Sequence, residues 1–132
     1  IIGNGDICTP EQARDAFDRY GVDAVMVGRA TFGCPWIFQE MRDVLDGRPA
    51  DPTLTVDRKI DLLLEQLRIN VERIDEYRGI LHTRRHIAAS PVFKGIPDFR
   101  QTRIAMLRAT TVEELTAIME QAREMIHKTQ GV

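Results

Sequence analysis

Two short stretches hold residues whose types and spacing suit a phosphate: Asn4-Gly5-Asp6, and Gly28-Arg29 about twenty residues further on. Ile1 and Ile2, both β-branched, run into the Asn-Gly turn, and Asp23-Ala24-Val25-Met26-Val27 runs into the second. An Asn-Gly turn gathers bare backbone amides, and Arg29 adds a guanidinium that can fork onto an oxyanion. Most such turns are only turns. The two in this order read as an anion cradle at the C-terminal edge of a parallel sheet, with the helix start at Thr9 placing a helix N-terminus beside it.

A second kind of chemistry lies in the charge distribution. Residues 78–108 hold seven basic side chains and one acidic, whereas 1–50 hold five and eight, 51–77 four and seven, and 109–132 two and four. The whole chain carries only −2, so this basic island stands in acidic surroundings. On a helical wheel Arg78, His82, Arg85 and His86 fall on one side and Ile80, Leu81, Ile87 and Ala88 on another. Lys94, Arg100, Arg103 and Arg108 can extend the positive side. Such a surface meets nucleic-acid phosphates and reads shape rather than sequence. The bland alternative is a solvated face with acidic neighbours; the strength of the imbalance favours nucleic acid. Arg84 lands on the apolar side, where it needs a buried partner or a role at a domain interface.

Metal and disulfide chemistry are not expected. His82 and His86 have the i, i+4 spacing of metal ligands, but no carboxylate or thiol nearby completes a set. Cys8 and Cys34 form no C-x-x-C pair, which argues against both a zinc site and a disulfide scaffold.

The elements that must position these residues follow from periodicity. Thr9-Pro10-Glu11-Gln12 has the form of a capping box opening a helix from Pro10 to Tyr20, with Ala13, Ala16, Phe17 and Tyr20 on one stripe and Gly21 as its stop. With strands on either side this is a βαβ crossover. Pro35 opens a further helix with Trp36, Ile37, Phe38, Met41, Val44 and Leu45 as its apolar face, ended by Gly47-Arg48-Pro49. Ala50-Asp51-Pro52-Thr53 marks a domain boundary. Beyond it a long helix is expected from Val56 to Tyr77, burying Ile60, Leu63, Leu64, Leu67, Val71 and Ile74, and a second from Gly79 to Ala89. A third follows the capping-box-like Asp98-Phe99-Arg100-Gln101, and a fourth follows Thr111-Val112-Glu113-Glu114, continuing through Leu115, Ile118, Met119, Ala122 and Ile126. The fold class is therefore α/β over residues 1–50, then all-α over 51–132 as a bundle of about four helices, predominantly helical as a whole.

At 132 residues the chain suffices for one domain or one and a half small ones. A lone parallel strand pair leaves backbone groups and apolar faces uncovered, so the chain is expected to be the C-terminal piece of a longer protein. By itself it is expected to self-associate through those faces. No apolar run approaches a membrane span and no signal peptide is visible, so a cytoplasmic protein without membrane contact is expected.

In combination, Ile2-Gly3-Asn4-Gly5-Asp6-Ile7, Gly21-Val22-Asp23-Ala24-Val25-Met26-Val27-Gly28-Arg29-Ala30 and Gly33-Cys34-Pro35-Trp36-Ile37-Phe38 resemble the end of the flavin-binding barrel of tRNA-dihydrouridine synthases. Arg84-Arg85-His86-Ile87, Lys94-Gly95, Phe99-Arg100 and Thr111-Val112-Glu113-Glu114-Leu115 continue the resemblance, which covers nearly the whole chain. It implies that residues 1–50 are the last two βα units of an FMN-binding TIM barrel and 51–132 a helical tRNA-binding domain. The implied activity is reduction of uridine to dihydrouridine in tRNA, with NADPH recharging the flavin. Asn4, Gly5 and Asp6 are then expected beside the FMN phosphate after the seventh barrel strand, and Gly28 and Arg29 after the eighth. Arg78, Arg84, Arg85, His86, Lys94 and Arg100 are expected on the tRNA side.

Gly33-Cys34-Pro35 looks like the family's Gly-Cys-Pro motif, whose cysteine gives a proton to the uracil ring. That motif belongs to the earlier half of the barrel, whereas here the tripeptide precedes Trp36-Ile37-Phe38. Cys34 is thus expected to be a buried residue near a helix start. No catalytic residue is expected in this chain, and it is not expected to catalyse by itself. Two other functions fit parts of the pattern: another phosphate-binding barrel flavoprotein of the dihydroorotate-dehydrogenase kind, and a non-enzymatic helical interaction module. The long helical extension with its basic island argues against the former, and only the missing catalytic half speaks for the latter.

Overall fold

The computed structural model describes residues 1–129; positions 130–132 of the expected helical domain lie outside the described residues. The chain forms two compact units, Ile1–Leu54 and a second that begins at Thr55. Among the described residues are six α-helices, two short strands and two 3-10 turns.

The first unit is β1 (Ile2–Gly3), α1 (Pro10–Tyr20), β2 (Ala24–Val25) and α2 (Ile37–Leu45), with a 3-10 turn over Arg29–Thr31. β1 and β2 are parallel, Ile2 opposite Ala24 and Gly3 opposite Val25. The expected strand from Asp23 to Val27 is assigned only at Ala24–Val25, because its partner turns away into Asn4-Gly5 after Gly3. Backbone bonds continue the ladder at both ends, from the Asp23 amide to the Ile1 carbonyl (2.9 Å) and from the Met26 amide to the Gly3 carbonyl (2.8 Å).

The capping box forms as expected: Thr9 Oγ1 accepts the Gln12 amide at 3.1 Å, and Gln12 Oε1 accepts the Thr9 amide at 3.2 Å. Gly21 closes α1 at φ 62°, a left-handed conformation that glycine adopts without a Cβ penalty. α1 packs on α2, with Ala13 fully buried and Arg14 donating to the Val44 carbonyl at 2.8 Å. Tyr20, expected on the buried stripe, is exposed. α2 opens at Ile37 rather than Pro35, since Cys34 to Trp36 form a preceding turn in which the Cys34 carbonyl accepts the Ile37 amide.

The second unit is α3 (Val56–Arg73), α4 (Glu76–Ala88), a 3-10 turn over Pro91–Phe93, α5 (Arg100–Arg108) and α6 (Val112–Thr129). The long helix expected to reach Tyr77 ends at Arg73. Asp75 takes the Arg78 amide at 2.8 Å and starts a new helix, so α4 opens at Glu76 instead of Gly79. Ile74, expected in the core, sits exposed at this corner. Leu81 is likewise exposed; α4 instead buries Gly79, Ile80, Thr83, Ile87 and Ala88. The capping box expected at Asp98 does not form, because Asp98 stands at φ 57° and α5 starts without a side-chain cap. At α6, Thr111 Oγ1 accepts the Glu114 amide (3.1 Å), but Glu114 reaches back to the Thr110 amide (3.3 Å), and Glu76 accepts the Val112 amide (3.0 Å).

Ile60, Leu63, Leu67, Ile80, Met106 and Leu115 form the heart of this unit's core. Asn70 donates to the buried Thr83 hydroxyl at 2.8 Å, satisfying the main polar group between α3 and α4. Among the described residues no helix is long and apolar enough to cross a membrane.

Candidate functional site

Because β1 and β2 are parallel, the loops that follow them leave the same edge of the pair. There Asn4, Gly5, Asp6, Gly28 and Arg29 line one concavity of about 440 Å³, together with Ile7 and Ala30. Gly5 stands at φ 134° and Asp6 at φ 53°. The first suits glycine alone and the second is a conformation that aspartate tolerates. Asn4 Oδ1 accepts the Gly5 amide at 2.8 Å, which fixes the turn internally. On the other loop, Thr31 donates to the Gly28 carbonyl at 2.7 Å and holds the 3-10 turn that starts at Arg29. A Cβ placed on Gly5 or Gly28 would meet nothing within 4 Å, so both glycines border open space.

Arg29 Nη2 donates to both carboxylate oxygens of Asp6, at 2.5 and 2.6 Å, tying the two loops together. The start of α1 does not serve the cradle as expected. The Gln12 amide is taken by Thr9, the Gln12 side chain accepts the Thr9 and Cys8 amides at 3.2 and 2.7 Å, and no residue of α1 lines the concavity. The cradle is thus made by two loops rather than by a helix end. A guanidinium and two glycine-lined approaches suit a phosphate, and the volume admits one.

Cys34 is buried and does not line the concavity, whereas Cys8 is exposed. Among the described residues no three His, Cys, Asp or Glu side chains gather closely enough to hold a metal ion.

The basic island divides in two. Arg84 Nη1 donates to the Ala109 carbonyl at 2.8 Å, the partner its position on the wheel required, and Arg103 Nε donates to the Ala88 carbonyl at 3.1 Å while lying over the Phe99 ring. Phe99 in turn stacks on the buried Phe93, with centroids 5.3 Å apart. These two arginines therefore hold the loops around α5. Arg78, Arg85, Lys94, Arg100 and Arg108 are exposed. Arg78 shares its charge with its own helix cap, its Nε lying 2.8 Å from Asp75. The Arg78 amide and side chain together hold the Asp75 carboxyl below the usual carboxylate range. His86 is half-buried, and burial first, then Arg85 and His82, push its pKa below the usual histidine value, favouring the neutral ring.

Two ionic features escape a reading of sequence. The Asp6–Arg29 pair joins two loops that are 23 positions apart in sequence. The cluster of Arg123 with Asp57, Asp61 and Glu120 joins α6 to α3, and only its Glu120 member stands at helical spacing.

Residues 1–128 match the family model described as "Dihydrouridine synthase (Dus)". The chain is similar to a protein of Shewanella oneidensis named "tRNA-dihydrouridine synthase B", 34% identical over 91% of this chain and 36% of that protein. It is also similar to the "Probable tRNA-dihydrouridine synthase" of Aquifex aeolicus, 28% identical over 94% of this chain and 37% of that protein. A "tRNA-dihydrouridine synthase B" of Pectobacterium carotovorum is 40% identical over 67% of this chain and 27% of that protein. The chain thus spans about a third of the length of these relatives. With both halves of the chain inside a single family match, the chain belongs to the dihydrouridine synthase family.

Proposed function

We propose that this chain serves a flavin-dependent tRNA-dihydrouridine synthase, which reduces uridine to dihydrouridine in tRNA. In this reading the Ile1–Leu54 unit belongs to a TIM barrel and supplies part of its FMN phosphate site through Asn4, Gly5, Asp6, Gly28 and Arg29. FMN supplies the hydride chemistry when bound, and NADPH restores it. The helical unit grips tRNA with Arg78, Arg85, Lys94 and Arg100, while Arg84 and His86 shape the same face from within. The reading assigns no catalytic residue to this chain and places the enzyme in the cytoplasm. The observation that carries it is the convergence of both strand-end loops on one concavity in a member of this family.

The test is a titration of unmodified tRNA into the full-length protein at two salt concentrations. Binding should weaken steeply with salt, and Arg85→Gln or Lys94→Gln should each reduce the slope of log affinity against log salt by about 1. Unchanged slopes in both variants would remove the helical unit from the tRNA contact.

The same reading bears on association. Ile1 (89% exposed), Ile2 (69%), Met26 (54%) and Phe38 (56%) are uncovered in the first unit. An apolar surface of this kind seeks a partner. The 132-residue chain by itself should therefore self-associate, and sedimentation velocity showing a monodisperse monomer across a wide concentration range would contradict this.

A further inference from the structure

Asp6 is the odd member of the cradle. A carboxylate next to a phosphate is repelled by it, so Asp6 needs a reason to be there other than contact with the ligand. Its geometry gives one. Both its oxygens accept from a single nitrogen, Arg29 Nη2, and Arg29 Nε and Nη1 make no hydrogen bond among the described residues. The Arg29 side chain is 76% exposed, so packing does not hold it. An arginine without such support spreads over many rotamers, and ordering it on binding weakens the ligand's hold. Asp6 itself is fixed by its place in the loop, at φ 53° directly after Gly5 at φ 134°.

We infer that Asp6 is a positioning residue: it holds Arg29 by one nitrogen at the edge of the concavity, so that the rest of the guanidinium is presented to the phosphate. Asp6 acts through Arg29 and does not bind the ligand. This rests on the cradle being the phosphate site proposed above, and it adds a division of labour within that site.

The test compares FMN with riboflavin, which lacks the phosphate, in titrations of the flavin-free full-length protein followed by flavin fluorescence. Arg29→Ala should weaken FMN about tenfold or more and leave riboflavin unchanged. Asp6→Asn removes the charge while keeping a side chain that tolerates the left-handed backbone. It should weaken FMN about three- to tenfold, spare riboflavin, and have no further effect in an Arg29→Ala background. Should Asp6→Asn disturb riboflavin binding and so report misfolding, Asp6→Gly, which accepts positive φ freely, replaces it with the same expectation.

Tighter FMN binding by Asp6→Asn overturns the inference, because the carboxylate then only opposes the phosphate. An undiminished effect in the Arg29→Ala background also overturns it, because Asp6 then acts without Arg29. Both outcomes leave the phosphate site standing. If Arg29→Ala changes FMN and riboflavin equally, the phosphate reading itself fails and the inference falls with it.

Discussion

Gly79→Ala should destabilise the helical unit by about 2–4 kcal/mol, although alanine is the better helix former by about 1 kcal/mol. The reason is the approach of α4 to α3. A Cβ on Gly79 would lie 2.8 Å from Val71 Cα and 2.9 Å from Val71 N, distances at which no side-chain rotation gives relief because the obstacle is backbone. The two helices would have to move apart. Separation would also strain the Asn70–Thr83 hydrogen bond, since Thr83 lies one turn beyond Gly79 and is fully buried. Leaving that hydroxyl without its partner costs a further part of the total. Chemical denaturation followed by helical circular dichroism would measure the loss, with Tyr77→Ala, at a position of α4 that is 70% exposed, as a milder companion. If Gly79→Ala were as stable as the parent or more so, helix propensity would be deciding the outcome, and the close α3–α4 crossing would be wrong.

The same glycine marks the limit of what sequence reveals. Its placement inside a helical run reads only as a weak former, and periodicity alone starts α4 on it. The true start depends on Asp75, whose side chain caps the Arg78 amide two residues after α3 ends. An aspartate in a charged run, Glu72-Arg73-Ile74-Asp75-Glu76, does not announce itself as a cap, because the apolar periodicity on either side continues almost in phase. By contrast the Thr9 box was legible: proline, glutamine and the flanking glycine all point to the same boundaries, and α1 occupies them. Asp98 shows the opposite case. Its local pattern has the form of a cap, but the loop after Pro97 takes a left-handed turn, and tertiary packing of Phe99 on Phe93 fixes where α5 begins.

That the two loops meet at one edge was legible, because each carries its own turn chemistry and parallel pairing brings the loop ends together. How Asp6 and Arg29 relate was not, since nothing local couples an aspartate to an arginine on another loop. For the basic island, sequence supplied the count but not the partition. Arg84 and Arg103 differ from Arg85 and Arg100 only in which way the helix turns them. Backbone carbonyls of Ala109 and Ala88, distant in sequence, capture the first two.

Arg123→Met should cost about 1–2 kcal/mol at neutral pH, and this loss should shrink as the solution is acidified. Arg123 lies on α6 with its side chain only 17% exposed. Its Nη1 meets Asp57 Oδ1 at 3.0 Å, its Nη2 meets Asp61 Oδ1 at 2.6 Å, and its Nε meets Glu120 Oε2 at 3.0 Å. His127, one turn on, adds Nε2 at 3.0 Å from Asp57. Asp57 and Asp61 ascend α3 as His127 and Arg123 descend α6, so the helices run antiparallel and this cluster fastens them. Burial opposes the charge of Arg123, but the hydrogen bonds it donates to Asp61, Asp57 and Glu120 outweigh it and raise its pKa above the ordinary arginine value. Asp57 moves the other way. The Arg123 hydrogen bond first, against a smaller penalty from burial, and then His127, hold its carboxyl below the usual aspartate range.

A carboxylate whose folded-state pKa is depressed stabilises the fold fully above its unfolded pKa, and that stability is lost as the pH falls through the lower, folded value. The share that Asp57 contributes is therefore complete at pH 7 and begins to be lost below about pH 4, the loss running on to its lower folded value. Methionine keeps the apolar stem of arginine, so packing is largely conserved and the difference isolates the charge. Lysine should recover only part of the loss, because one ammonium cannot serve three carboxylates at the angles of a planar guanidinium. Urea unfolding of parent and variant at pH 7 and at pH 3 decides the matter. A gap that narrows at pH 3 assigns the fastening to charge, whereas a gap of equal size at both would assign it to packing of the side-chain stem alone.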